Sequence, residues 1–364
     1  GWKREMVTRG GCVDEIVGEG EGRREARWSA FLEEVDARAM PQRAPGAPPP
    51  RVRYLVVAYG KRRGFGRRTA SRPSMQECPS GLRRLLVGVF CHDIDIVNCH
   101  PTLFLQVARK MGVPQAVLEP LVEYTTHRDA VLARIGEFYG VAAGKCKYAV
   151  LRVLNLGRTS AWVRDAKCTR NVHEEQVDLL ALEDVARAVR DAFFAKPELQ
   201  PQIEKVRREV KVERAAALRE AREHVERARS LEDRAIAKKR RERAIKKARD
   251  EAINRTVFSH CVFELEDQIL DVIDRAFASM GRSVYSLIFD GLTAEHREGD
   301  TLENGRWVEL EELMRHAEAM VKIELGYTIE LMEKPLFHEN ECAWDSGECD
   351  SDGDDERDDE SDDE

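Results

Sequence analysis

Between residues 202 and 253 the chain runs as a long, highly charged helical stretch whose apolar positions are weak. Residues 205–249 hold 18 Lys or Arg against eight Asp or Glu, a net of +10. Leu218, Ala221, Val225, Ala228 and Ala235 form only a thin line along this stretch. Acidic and basic residues four apart support a solvated helix. A stable zipper would put Leu or Ile on that line. The stretch therefore reads as a protruding helix or helical hairpin. Residues 341–364 oppose it, with 14 acidic residues and one Arg, a net of −13. Such a segment buries no apolar surface and is expected to be disordered. It reads either as a solubilising tail or as a strand of negative charge that folds back on basic surface, or meets a basic protein partner. The overall charge of −8 thus conceals +5 on residues 1–340. A further basic cluster runs through Lys61, Arg62, Arg63, Arg67, Arg68 and Arg72.

No apolar run approaches the ~18 residues of a membrane-spanning helix, so no membrane partner is expected. The polar first ten residues do not resemble a secretory signal. Nine Cys, an odd number and without a C-x-x-C pair, argue against a zinc ribbon and a disulfide framework. A reducing intracellular compartment, nucleus or cytoplasm, is the resulting expectation.

The apolar periodicities outside the charged stretch are mixed. Residues 1–25 look loose and polar, and residues 41–50 form a Pro-rich linker. Residues 52–59 read as a strand. A second apolar run, 85–90, leads into Cys91-His92-Asp93-Ile94-Asp95. Pro101 suits a helix start, and Leu103, Phe104, Val107, Ala108 and Met111 follow at helical spacing up to Gly112. Short helices fill 115–165, and 174–196 reads as a helix stopped by Pro197. An amphipathic helix spans 256–280, with Phe258, Val262, Leu265, Ile269, Val272, Ile273, Ala276 and Met280 inward. Two short apolar strands then flank Asp290-Gly291 as a hairpin. A helix at 309–325 and a strand at 327–332 follow. This order is α+β rather than a regular β–α alternation.

Asp93 and Asp95 sit at the end of one strand, and Asp290 at the tip of the hairpin. Carboxylates there are costly unless they bind something. Side by side they would repel, and a divalent cation would remove the repulsion. On its own Asp290-Gly291 also reads as a plain turn.

The order of these features carries a resemblance. Residues 95–102, D-I-V-N-C-H-P-T, resemble the first catalytic motif of family B DNA polymerases. Lys147, spaced before Asn155-Leu156-Gly157, is similar to the second motif of family A polymerases, where a Lys grips the incoming triphosphate. Residues 287–295 resemble the third motif, a catalytic Asp at a hairpin tip. Pro73 to Gln76, the Asp-Ile-Asp core and the closing Gly326-Tyr327 and Lys334-Pro335 are similar to a divergent group of viral and mobile-element polymerases. Asn155-Leu156 departs from the Tyr-Gly pair of the second motif, and Gly291 from the acidic neighbour found in the third.

The resemblance implies a fold and an activity. The fold would be a polymerase palm-like antiparallel sheet packed on helices, with a helical fingers-like region, a long charged helical insertion and a disordered acidic tail. An extension and linker (1–50) would precede a first palm segment (51–112), a fingers-like segment (113–173), the insertion (174–255), a second palm segment (256–337) and the tail (338–364). The activity would be template-directed DNA synthesis on a primer–template from deoxynucleoside triphosphates, with Mg²⁺ or Mn²⁺ as cofactor. Asp95 and Asp290 would be catalytic and hold the metal, with Asp93 as a further ligand. Lys147, Arg152, Arg128 and His100 would serve the nucleotide. Arg62, Arg63, Arg67, Arg68, Lys238, Lys239, Arg240 and Arg241 would track nucleic-acid phosphates. A catalytically inactive polymerase-derived nucleic-acid-binding protein, or a primase or reverse transcriptase, remains the alternative.

Overall fold

The computed structural model describes residues 2–8, 31, 33, 40–41, 52–61, 64–71, 73–78, 83, 91–227, 230–247, 249–297, 300–303 and 306–334. The apolar run 85–90, most of the Pro-rich linker, Arg62, Arg63, Arg72, Pro335 and the acidic tail lie outside them.

The elements in chain order are β1 (Trp2–Thr8), β2 (Met40–Pro41), β3 (Val52–Gly60), β4 (Thr69–Ala70), β5 (Cys91–Ile96), α1 (Cys99–Lys110), α2 (Gln115–Thr126), α3 (Arg128–Tyr139), α4 (Ala143–Leu154) and α5 (Thr159–Asp165). There follow α6 (Val177–Ala195), a short 3-10 turn (Pro197–Leu199), α7 (Gln200–Arg227), α8 (Leu231–Lys247), α9 (Asp250–Ser279), β6 (Val284–Ile288), β7 (Gly291–Glu295), β8 (Leu302–Glu303), β9 (Arg306–Trp307), α10 (Val308–Leu325) and β10 (Leu331–Lys334). The chain is α+β. No helix among the described residues is long and apolar enough to cross a membrane.

The chain divides into two compact units. One combines Gly1–Cys99 with Glu264–Asp354, and the other is built on His100–Phe263. The first unit holds the sheets. In one, β3 is flanked by β1 and β2 and also pairs with β4. The other has the order β10-β5-β7-β6, antiparallel throughout. β5 runs through its centre and is buried along nearly its whole length. The N-terminal segment is a correction to the sequence reading. Trp2–Thr8 is a strand in unbroken register with β3, because the backbone ladder decides there and local composition does not.

The second unit is helical. Helices α2, α3, α4 and α6 pack on one another, and α5 packs on α4. Leu179, Leu182, Val185, Ala186 and Val189 on α6 are all at most 1% exposed, the stripe that its helical spacing predicts. Fully burying such a side chain contributes about 1.5–3 kcal/mol. The stretch 202–253 is not one helix but α7, α8 and the first turn of α9. Arg240 on α8 lies 3.6 Å from Glu220 on α7. Further from the turn, Lys211 lies 3.4 Å from Asp250, and Arg207 donates to Asn254 at 3.2 Å. Partners nearer the turn meet partners nearer the turn, so the chain doubles back as a helical hairpin.

Several boundaries shift. Helix α1 opens at Cys99, so Pro101 sits in its first turn rather than at its start. Met280 is 43% exposed, because Gly281 at φ +75° turns the chain before another helical turn forms. The last strand is Leu331–Lys334, later than the expected 327–332, and it pairs residue by residue with β5.

Candidate active site

Strand β5 places Asp93 and Asp95 on one face by its period of two. In register, Asp95 stands opposite Gly291 of β7 and Met332 of β10. The hairpin β6–β7 turns through Phe289 and Asp290, and the backbone N–H of Ile96 donates to the Asp290 carbonyl at 3.2 Å. Asp95 and Asp290 are therefore held side by side by main-chain geometry. The turn is not the Asp-Gly turn that the sequence suggests. Phe289 takes φ +53°, a region that non-glycine residues rarely occupy. Backbone strain of this kind clusters at functional sites. Gly291 instead lies in the strand, where an added Cβ would stand 2.5 Å from the Ile94 carbonyl oxygen and 2.7 Å from Asp95 Oδ1. Only glycine lets the two carboxylate-bearing strands approach this closely.

The edge of β6 is covered by polar groups from the first half of the chain. The Leu287 N–H donates to the Tyr59 hydroxyl at 3.1 Å, and Gln76 Nε2 donates to the Leu287 carbonyl at 3.4 Å. Ser74, Met75 and Gln76 are all buried. The segment Pro73 to Gln76 thus serves as a brace for the hairpin.

A third carboxylate joins the pair. Glu266 on α9 is 1% exposed and forms an ion pair with Arg67, whose guanidinium lies 5.2 Å from the centre of the Phe289 ring. Burial, then the charges of Asp95 and Glu266, push the Asp290 carboxyl up to about 7, while Arg67 and Lys334 oppose the shift. Its side chain makes no hydrogen bond among the described residues. Asp95 is held by Lys334 Nζ at 2.7 Å. The Cys99 thiol is pushed well up by burial and by the same carboxylates. With Asp290 ionised, three carboxylates face the two cations Arg67 and Lys334. The donor set, oxygen only and partly open to solvent, fits a hard divalent cation of the Mg²⁺ or Mn²⁺ class.

Asp93 is buried and acts on Lys334 and Cys91, but is not among the groups that shift Asp290. Arg67 and Arg68 are held internally: Arg68 pairs with Asp267 at 2.7 Å and Asp271 at 3.3 Å. Lys61 completes this ladder on α9, 2.7 Å from Glu264 and 3.0 Å from Asp267. Glu264 and Glu295, the acidic residues that flank the third motif, stay outside the cluster. Glu264 holds Lys61 and the Gly66 N–H, and Glu295 pairs with Arg297 at 3.1 Å.

The remaining candidates lie in the helical unit. His100, the second residue of α1, meets Asn155 Nδ2 at 3.3 Å, so residues of the first and second motifs touch. Asn155 Oδ1 is buried without a hydrogen-bond partner among the described residues. Lys147 sits over the Tyr148 ring at 5.0 Å, and Arg152 pairs with Asp165 at 3.0 Å. Arg128 opens α3 and hydrogen-bonds to Tyr124. Lys238, Lys239, Arg240 and Arg241 are all exposed on α8.

Sequence reasoning missed Glu266. Its signal was present: it falls four residues after Val262 and three before Ile269, an acid on the apolar stripe of α9. No protein-family model and no curated protein matches the chain.

Proposed function

We propose that the chain is a template-directed DNA polymerase of the palm type, joining deoxynucleotides to a primer 3′ end. The observation that carries this reading is the adjacency of Asp95 on β5 to Asp290 at the turn of the neighbouring β6–β7 hairpin, with Glu266 beside them. The motif order adds to it. Asp95 and Asp290 face the reacting phosphate as paired oxygen ligands. When bound, divalent cations acidify the primer hydroxyl and offset charge on the triphosphate and the leaving pyrophosphate. Asp290 must be ionised to act, so its raised carboxyl couples ligation to proton release. A cation held by Asp95 would have to displace Lys334 Nζ, which pairs with that carboxylate at 2.7 Å. Arg67 and Glu266 fix Phe289 and the strained turn, which holds Asp290 at the tip. By the resemblance, Lys147 would be the grip on the triphosphate, with Arg128 and Arg152 in support, and His100 would serve the sugar. Catalysis is then mostly positioning and charge stabilisation.

A second reading, nucleic-acid binding without chemistry, is favoured by the Lys334–Asp95 ion pair, which puts an ammonium where a cation would sit. Primer extension separates the two. With primer–template, four deoxynucleotides and Mg²⁺ or Mn²⁺, the parent extends and Asp95→Ala and Asp290→Ala do not. No extension by the parent, with duplex binding unchanged in both variants, would replace the first reading by the second.

A further inference from the structure

The opposite face of β5 carries a second cluster, chemically unlike the first. By alternation along the strand, His92 points away from Asp93 and Asp95. One ligand-type atom from each of His92, His296 and Asp300 lies within 4.8 Å of the others. His92 is 3% exposed. Its Nδ1 stands 2.6 Å from Glu333 Oε1 on β10. A carboxylate there accepts from Nδ1–H, and in the neutral ring Nε2 then carries the lone pair. Nε2 is buried without a hydrogen-bond partner among the described residues and lies 3.7 Å from Asp300 Oδ2. A buried imidazole nitrogen with a free lone pair, aimed at a second imidazole and a carboxylate, is an unexplained cost unless something ligates it.

We propose that His92, His296 and Asp300 form a binding site for one transition-metal ion of the zinc class, with Glu333 as the residue that orients His92. A carboxylate accepting the far N–H of a metal-bound histidine is the common supporting arrangement for such ligands. Two imidazoles and one carboxylate suit a borderline metal, whereas the all-oxygen Asp95–Asp290 pair suits a hard one. The two faces of one strand thus select different ions. Asp300 has capacity left: about four lone-pair sites belong to a carboxylate. Three are taken, by two Arg282 nitrogens and the Arg297 N–H. Ligand atoms around a four-coordinate zinc ion lie about 3.4 Å apart, given bonds of about 2.0–2.2 Å. The three atoms, within 4.8 Å of one another, would have to draw together to that spacing, and water would complete the set. The ion would clamp β5 to the far end of β7 and to the loop before β8. This inference does not depend on the proposed catalytic activity.

The test uses the full chain, stripped with a chelator and titrated with Zn²⁺ in excess Mg²⁺. The parent is expected to take up one more equivalent than His296→Gln, and Co²⁺ in its place should give the strong visible bands of a four-coordinate site without a thiolate charge-transfer band. Glu333→Gln should weaken this equivalent ~10–100-fold, since supporting carboxylates contribute that much. Circular dichroism checks the fold, and if His296→Gln is unfolded the Glu333→Gln comparison decides alone. Equal zinc uptake by the parent and the folded variants, or no uptake by the parent, overturns the proposal.

Discussion

The carboxylate cluster on the central sheet and the basic hairpin of α7 and α8 are both dense in charge, yet they are built in opposite ways. In the sheet, backbone register fixes each charge: Asp95 faces Gly291, the Ile96 N–H ties down the Asp290 carbonyl, and Glu266 is buried against Arg67. On the hairpin, Lys238, Lys239, Arg240 and Arg241 stand in solvent, and pairs such as Arg227 with Glu223 are exposed. Exposed pairs contribute only ~0–1 kcal/mol. The difference teaches where each kind of function can reside. Placement by backbone register supports chemistry, whereas a field of exposed cationic side chains supports attraction to a polyanion.

Four changes would break or sharpen this contrast. Removing a fixed carboxylate should have the largest effect: Asp95→Ala or Asp290→Ala lowers extension by about 1,000-fold or more, a size typical of lost electrostatic stabilisation, while duplex binding persists. Gly291→Ala comes next. Its Cβ must displace the Ile94 carbonyl or the Asp95 carboxylate, so about 1–3 kcal/mol of stability is lost on chemical denaturation, and kcat falls more than KM rises.

The third change concerns pH. The folded carboxyl of Asp290 is raised above its unfolded value of 3.8 to about 7. The folded state therefore binds the extra proton, and stability present at low pH is lost as pH rises through this window. Asp290→Asn removes that loss: in metal-free buffer it raises stability by about 1–3 kcal/mol at pH 8 and hardly at pH 4. In the parent, Mg²⁺ binding should release a proton, and its apparent affinity should climb with pH up to about 7. A thermal-shift series across pH, with and without Mg²⁺, checks both.

The smallest effect belongs to the hairpin. Replacing Lys238, Lys239, Arg240 and Arg241 together by Ala should weaken duplex binding roughly 10-fold at low salt and flatten its salt dependence, with kcat unchanged. A loss of kcat instead would mean that the hairpin is part of the fixed apparatus.

Much of this was legible locally. The helical stripes of α6, α9 and α10 follow from spacing alone, and the carboxylates at the ends of two apolar strands already marked the site. What local pattern cannot supply is pairing at long range. Nothing in the polar composition of residues 2–8 announces a strand, because its partner lies some fifty residues away in β3. Arg67 and Arg68 looked like free cations for phosphates, but their partners sit on α9, nearly two hundred residues on. Asp290-Gly291 looked like the turn itself, and only the Asp95–Gly291 register explains why the glycine lies one place later, in the strand. Glu266 is the instructive case between these. Its place on an apolar stripe was readable, and its reason became readable only beside Asp290.

The central claim is that Asp95 and Asp290 together hold a divalent cation. Anomalous diffraction from crystals soaked in Mn²⁺ and a deoxynucleoside triphosphate tests it most directly. The account predicts a manganese peak within about 2.0–2.6 Å of oxygens from both carboxylates, the range for hard cations, with Lys334 withdrawn from Asp95. Manganese absent from that position, with Lys334 still bound to Asp95, would contradict it.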